Sequence, residues 1–313
     1  MPSKELELIQ RIRKAATRGR RKPGTGIGDD CAVLPIPRGH ELLVTTDFSL
    51  EGVHFRRDCH PADSVGHRCL ARGLSDIAAM GGTPHSAFLS LALPADLPQQ
   101  WVDDFLRGFL KLAKRYNVQL AGGDTAQSPN GVLADIIVVG TVPTGKAVLR
   151  SGAHPGDILY VSGTLGSSVA TLQKLRSGKK LWTSQHTRHF YPDPRIALGC
   201  YLREKKLASA MIDTSDGLST DLRHLCDESG VGAILETAAL PAVAGPDALQ
   251  YALHGGEDYE LLFTTPPNRR IPRTIAGVPI TRIGEITRAR QIKLQTPDRN
   301  TQPLQPGGWQ HFA

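Results

Sequence analysis

Apolar residues along this chain fall into runs of two kinds. Leu6, Ile9 and Ile12 recur at helical spacing and predict an amphipathic helix over 4–16. Val65, Cys69, Leu70, Leu74 and Ile77 form one stripe, which predicts a helix over 63–80 stopped by Gly81-Gly82-Thr83-Pro84. Trp101, Phe105, Phe109 and Leu112 predict a buried face on a long helix over 98–116. Shorter apolar runs at 41–47, 87–93, 118–121 and 133–142 read as strands. The stretch 150–157 (RSGAHPGD) is rich in turn formers and marks a junction, giving domains of 1–148 and 149–313. Beyond it, 158–161, 210–213 and 259–265 read as strands, and 167–176, 194–206 and 217–229 as helices. Both halves mix strands and helices, so each is α/β or α+β.

Length and composition agree with two globular domains: 313 residues, 40% hydrophobic and 21% charged. The strongest apolar run, at 136–140, falls far short of the roughly 18 residues of a membrane span. The start, MPSKE, offers no apolar segment for a signal peptide. Cys31, Cys59, Cys69, Cys200 and Cys226 are scattered without a CxxC pair, which suits a reducing, cytoplasmic setting. The net charge of +7 has an early basic cluster, Arg11, Arg13, Lys14, Arg18, Arg20, Arg21 and Lys22. A solvated helix face running into a glycine-rich loop at 18–28 accounts for it, with attraction of a phosphorylated substrate as the second reading. Nucleic acid is disfavoured, because no aromatic stacking strip accompanies the charge.

Against this basic background, aspartates stand beside glycines or hydroxyls at strand ends: GIGDD (26–30), TTD (45–47), LSD (74–76), GGD (122–124) and DTSDG (213–217). One strand-end Asp is ordinarily a turn former or a helix cap. Five such clusters point instead to hard oxygen ligands for Mg2+, with glycines letting backbone amides approach a phosphate. Other nucleotide signatures fail. GTVPTGKA (140–147) nearly matches a P-loop, but Ala147 offers no hydroxyl, and 148–150 reads as a strand where a helix should start. No GxSxG elbow and no kinase HRD or DFG set occurs.

Taken in order, GIGDDCAVL (26–34), TTDFSLEGVHF (45–55), LSDIAAMGGTP (74–84), AGGDT (121–125), LRSGAHPGD (149–157), IDTSDGLSTDL (212–222) and HGGEDYELLF (254–263) resemble the thiamine-monophosphate kinase family across nearly the whole chain. Gly73, Ser167 and the DFS at 47–49 depart from the family's usual residues. The resemblance implies a two-domain fold like that of aminoimidazole ribonucleotide synthetase. An N-terminal α/β domain would bind ATP and Mg2+ and form a homodimer, and a C-terminal α+β domain would complete the nucleotide and substrate site. It also implies residue roles. Asp30, Thr45, Thr46, Asp47, Asp76, Asp124, Asp213 and Asp216 would be magnesium ligands. Gly123, Asp124, Arg150 and Ser215 would contact ATP, and His54, Glu257 and Trp309 the substrate, thiamine monophosphate. Phe312 is an alternative to Trp309 for stacking on the substrate's rings.

The reaction implied is transfer of a phosphoryl group from ATP to thiamine monophosphate, giving thiamine diphosphate. The nucleophile is a phosphate oxygen whose second pKa is about 6, so no general base is expected. Several Mg2+ ions would offset the repulsion between the two anions, and in-line transfer would need no phosphoenzyme. The alternatives are another ATP-using synthetase of the same superfamily and a basic, non-catalytic nucleotide-binding protein. The first is disfavoured because the chain has no cysteine in 18–28 and none near its last residues.

Overall fold

The computed structural model describes residues 5–17 and 34–310. The chain divides into two compact units: the first holds residues up to Ile77, Thr83–Gly145 and Phe190–Pro192, the second Ala78–Gly82, Lys146–His189 and the residues from Asp193 on.

Along the first unit run α1 (Glu5–Thr17), β1 (His40–Leu50), α2 (Ala62–Ala79), β2 (Thr83–Pro94), α3 (Gln99–Arg115), β3 (Gln119–Gly122), β4 (Thr125–Ser128) and β5 (Leu133–Pro143). The sheet order is β1-β5-β2-β3, with β4 also pairing β2. The stripe predicted on α2 is the buried one: Val65, Cys69, Leu70, Leu74 and Ile77 are each 2% exposed or less. Burying a side chain of that size contributes roughly 1.5–3 kcal/mol. On α3, Phe105, Phe109 and Leu112 are buried, and Trp101 stacks between Phe55 and Phe105.

Strand alternation divides β1 between two faces. Leu43, Thr45 and Asp47 share the face on which α2 lies, beside Val138 of β5. Leu42, Val44 and Phe48 point the other way and are 46%, 64% and 55% exposed.

Along the second unit follow β6 (Ile158–Ser162), α4 (Ser167–Arg176), α5 (Thr187–Phe190), α6 (Ile196–Glu204), β7 (Ala210–Asp213), α7 (Leu218–Ser229), β8 (Gly232–Glu236), α8 (Ala248–His254), β9 (Leu261–Thr265), β10 (Thr274–Ile275), β11 (Val278–Thr287), β12 (Ile292–Gln295) and β13 (Thr301–Pro303). Its sheet order is β13-β12-β8-β11-β6-β9-β7, with β10 on β11. The β8–β12 pair is parallel, and the other pairings along this path are antiparallel. Leu218, Leu222 and Leu225 of α7 bury against Leu159, Val161, Leu235 and Ile283 of the sheet.

Residues 148–150, where a strand was expected, form no strand. The main chain there is held instead by single bonds, such as Val148 N–H to the Met80 carbonyl (3.2 Å). The absence of a helix after Lys146 excludes a P-loop as the sequence did.

Candidate functional site

In the first unit, β1 and α2 bring acids together. The Thr45 hydroxyl donates to the Asp76 carboxylate. Asp47, on the same face of β1, has its carboxyl pushed up to about 7 by burial and by the negative charge of Asp76, against the opposing charge of Arg72. Gly73 explains itself here: a β-carbon at that position would sit 2.5 Å from Val138 Cγ2, so glycine lets α2 settle close to the sheet. Thr46 lies on the opposite face, and its hydroxyl donates to Asp135 at 2.8 Å. Asp47 pairs with Ile136, Ile136 with Leu89, and the Leu89 carbonyl accepts from Asp124 N–H (3.3 Å). Leu91 N–H in turn donates to the Asp124 carbonyl (2.9 Å), which sets Asp124 opposite Ser90, in the cross-strand row of Asp135 rather than that of Asp47. Gly123 makes that approach possible, since a β-carbon there would fall 1.8 Å from the Leu89 oxygen. Where β1 ends, Leu50 N–H donates to His54 Nδ1 (3.0 Å), which leaves the proton of the neutral ring on Nε2.

In the second unit, β7 ends at buried Asp213 and the chain turns through Thr214, Ser215 and Asp216 into α7. Asp221 returns toward that turn, accepting from Gly217 N–H at 3.0 Å. Its carboxyl is raised well above the ordinary carboxylate range by burial, then by the charges of Asp213 and Asp216. Two further segments fasten onto the same turn. Glu257 N–H donates to the Ser215 carbonyl (2.7 Å), and Trp309 N–H to the Asp216 carbonyl (2.9 Å). Gly307 N–H meets Ser219 Oγ and Gly308 N–H meets Thr220 Oγ1, each at 3.2 Å. The residues around 307–309 thus form a strap across the start of α7 that sets half-exposed Trp309 beside Asp216.

Residues 28–142 match the family described as AIR synthase related protein, N-terminal domain, and residues 154–296 its C-terminal domain. A thiamine-monophosphate kinase of Salmonella typhimurium is 42% identical over 301 residues, covering 90% of each chain. The chain belongs to the thiamine-monophosphate kinase family. The crystal structure of a family member from Stenotrophomonas maltophilia, 36% identical, superposes with a TM-score of 0.82 over 94% of this chain and 97% of that one. A structure of AaThiL complexed with AMPPCP and TMP, 34% identical, gives 0.80 over 98% of this chain and 97% of that one. The family fold, an N-terminal and a C-terminal AIR synthase related domain, is therefore the fold of this chain.

Among the residues expected from the family, Thr45, Asp47 and Asp76 form one group, and Asp213, Ser215, Asp216, Glu257 and Trp309 another. Asp30 and Phe312 lie outside the described residues. The main chain of Arg150 is placed at the other end of α7, where its carbonyl accepts from Ser229 Oγ at 2.7 Å. Asp135 and Asp221 join the acidic groups without having been singled out in the sequence. Asp221 stood within IDTSDGLSTDL, and its signal was an acid in the first turn of a predicted helix.

The donor set suits Mg2+. Carboxylates pressed together until one holds its proton near neutrality are those a divalent cation would relieve, and the oxygens of Thr45, Asp47 and Asp76 are hard ligands. Among the described residues no trio of His, Cys, Asp or Glu forms a closed metal cage. Magnesium needs none, since one or two carboxylates, waters and substrate phosphates complete its shell.

Proposed function

We propose that the chain transfers the γ-phosphoryl group of ATP to the phosphate of thiamine monophosphate, yielding ADP and thiamine diphosphate. The observation that supports this most is the crowding of acids in each unit, Asp47 with Asp76 and Asp221 with Asp213 and Asp216, in a chain whose net charge is +7. Asp30, Thr45, Thr46, Asp47, Asp76, Asp124, Asp213 and Asp216 would hold several Mg2+ ions. Once bound, Mg2+ neutralises charge on the phosphates and so lets two anions approach.

The chain's own part is orientation. Gly123 and Ser215 offer a close backbone and a hydroxyl to the nucleotide, and Arg150 a guanidinium whose paired donors match phosphate oxygens. His54 and Glu257 contact the substrate, and Trp309 offers a ring face to its cationic thiazolium or its pyrimidine. The acceptor oxygen is ionised at neutral pH, so transfer proceeds in line without a general base and without a phosphoenzyme. Domains of 1–148 and 149–313 would divide the labour, the first holding most of the cation ligands together with His54 and the second completing the nucleotide and substrate site.

The open face of the first unit's sheet, with Leu42, Val44 and Phe48 exposed, supports a homodimer in which two such faces meet. Among the described residues no helix is long and apolar enough to cross a membrane. We place the enzyme in the cytoplasm, where thiols such as those of Cys69 and Cys226 stay reduced.

The test is product formation from ATP with thiamine, thiamine monophosphate or no acceptor, at graded Mg2+. The expected result is ADP and thiamine diphosphate with thiamine monophosphate alone, rising with Mg2+. ADP release indifferent to the acceptor would overturn the assignment. Retention of configuration at a chiral γ-thiophosphate would overturn in-line transfer.

A further inference from the structure

Residues other than glycine seldom adopt positive φ, yet Glu257 (φ +62°) and Tyr259 (φ +51°) do so with one residue between them. Such a conformation is costly and persists only where its surroundings impose it. The main chain of this turn is stitched to the turn after β7. Besides the Glu257 bond to Ser215, Tyr259 N–H donates to the Thr214 carbonyl (2.9 Å), and Thr214 N–H to the Glu260 carbonyl (2.8 Å).

Glu260, immediately after the turn, is fully buried. Arg195 grips it with both arms of its guanidinium, Nε to Oε2 at 2.8 Å and Nη2 to Oε1 at 2.5 Å. Arg188 Nη1 adds a bond to Oε1 (3.1 Å) and Ser162 Oγ one to Oε2 (2.5 Å), and Ser162 itself accepts from Leu261 N–H (2.9 Å). A buried ion pair is a poor source of stability, because an apolar replacement often serves as well. What the paired bonds do supply is a fixed plane and direction for the carboxylate.

We propose that Glu260, clamped by Arg195, is a positioning residue that holds the strained turn at 257–259 in the one conformation that offers Glu257 to the substrate. This rests on the reading of Glu257 as a substrate contact. Lysine at 195 keeps the charge but cannot reproduce the planar fork.

Steady-state kinetics on the full chain test it through R195K, E257Q and the double variant. R195K is expected to raise KM for thiamine monophosphate about tenfold while KM for ATP stays within about twofold. In the E257Q background, R195K is expected to add less than about twofold, since both changes remove the same contact. Full multiplication of the two effects, or equal rises in both KM values, would show a merely structural pair and overturn the proposal. E257Q with unchanged KM for thiamine monophosphate would instead overturn the substrate role of Glu257, and the clamp's purpose with it. If R195K is too unstable to assay, E260Q, which keeps the side chain's shape, enters the same cycle.

Discussion

Gly163→Ala measures how rigid the buried acid is. Gly163 has φ +63°, and a β-carbon there would lie 2.0 Å from Glu260 Oε1 and 2.2 Å from its Cδ. The left-handed backbone alone costs alanine roughly 1–2 kcal/mol. A flexible carboxylate would swing aside, but this one is held by Arg195, Arg188 and Ser162. The methyl must therefore be absorbed by overpacking, about 1–3 kcal/mol, or by breaking a buried pair, about 3–5 kcal/mol. Gly178→Ala is the control: φ is +78°, and nothing lies within 4 Å of its would-be β-carbon. Urea denaturation should show Gly163→Ala less stable than Gly178→Ala by at least about 1–3 kcal/mol, the steric part alone. Equal losses in the two variants would refute the reasoning, because they would mean that Glu260 moves freely.

Asp47→Asn should lose at least about 100-fold in turnover and its Mg2+ response. It should also melt no lower than the parent, because the change relieves a buried carboxyl facing Asp76. Unchanged kinetics or a large drop in melting temperature would each count against that reading. Burial pushes the Asp258 carboxyl up to about 7, against the N–H groups of Gly166 and Ser168 that favour its charged form. The folded chain keeps a proton that the unfolded chain releases near 4, so this group's stabilisation is complete below about pH 4 and is lost as the pH rises through about 7. Asp258→Asn should flatten that part of the stability–pH curve, and parallel curves for parent and variant would contradict it. Val44→Lys with Phe48→Lys places charge on the open sheet face and should yield a monomer in sedimentation velocity, whereas an unaltered dimer would put the interface elsewhere.

Elements with a strong apolar period were legible in the sequence. The α2 stripe and the Leu218–Leu222–Leu225 face of α7 announce their buried sides at helical spacing, and α4 and β7 fall at their expected bounds. The strands β8 and β10 to β13 were not. They are short or, like β11, interrupted by residues such as Pro279 and Gly284, and they are defined by their partners rather than by their own pattern. Val148 and Leu149 show the converse: β-branched and apolar residues predict a strand, yet the segment meets β7 through the bond from Met211 N–H to the Leu149 carbonyl (3.0 Å) without forming a regular strand. The acidic clusters were readable because glycine and aspartate mark turns locally. Asp135 and Glu260 were not, because each acquires its place from a distant residue: Thr46 lies 89 positions from Asp135, and Arg195 lies 65 from Glu260.

The strap at 307–309 ties assembly to the order of synthesis. Ser219 and Thr220 wait 88 residues for the amides of Gly307 and Gly308. The core of the second unit extends to Leu304, so the strap is the last segment in sequence to be laid on it. Under the proposed substrate role of Trp309, a protease nick ahead of Gly307 would cut that ring loose from Asp216 while leaving β6 to β13 in the chain.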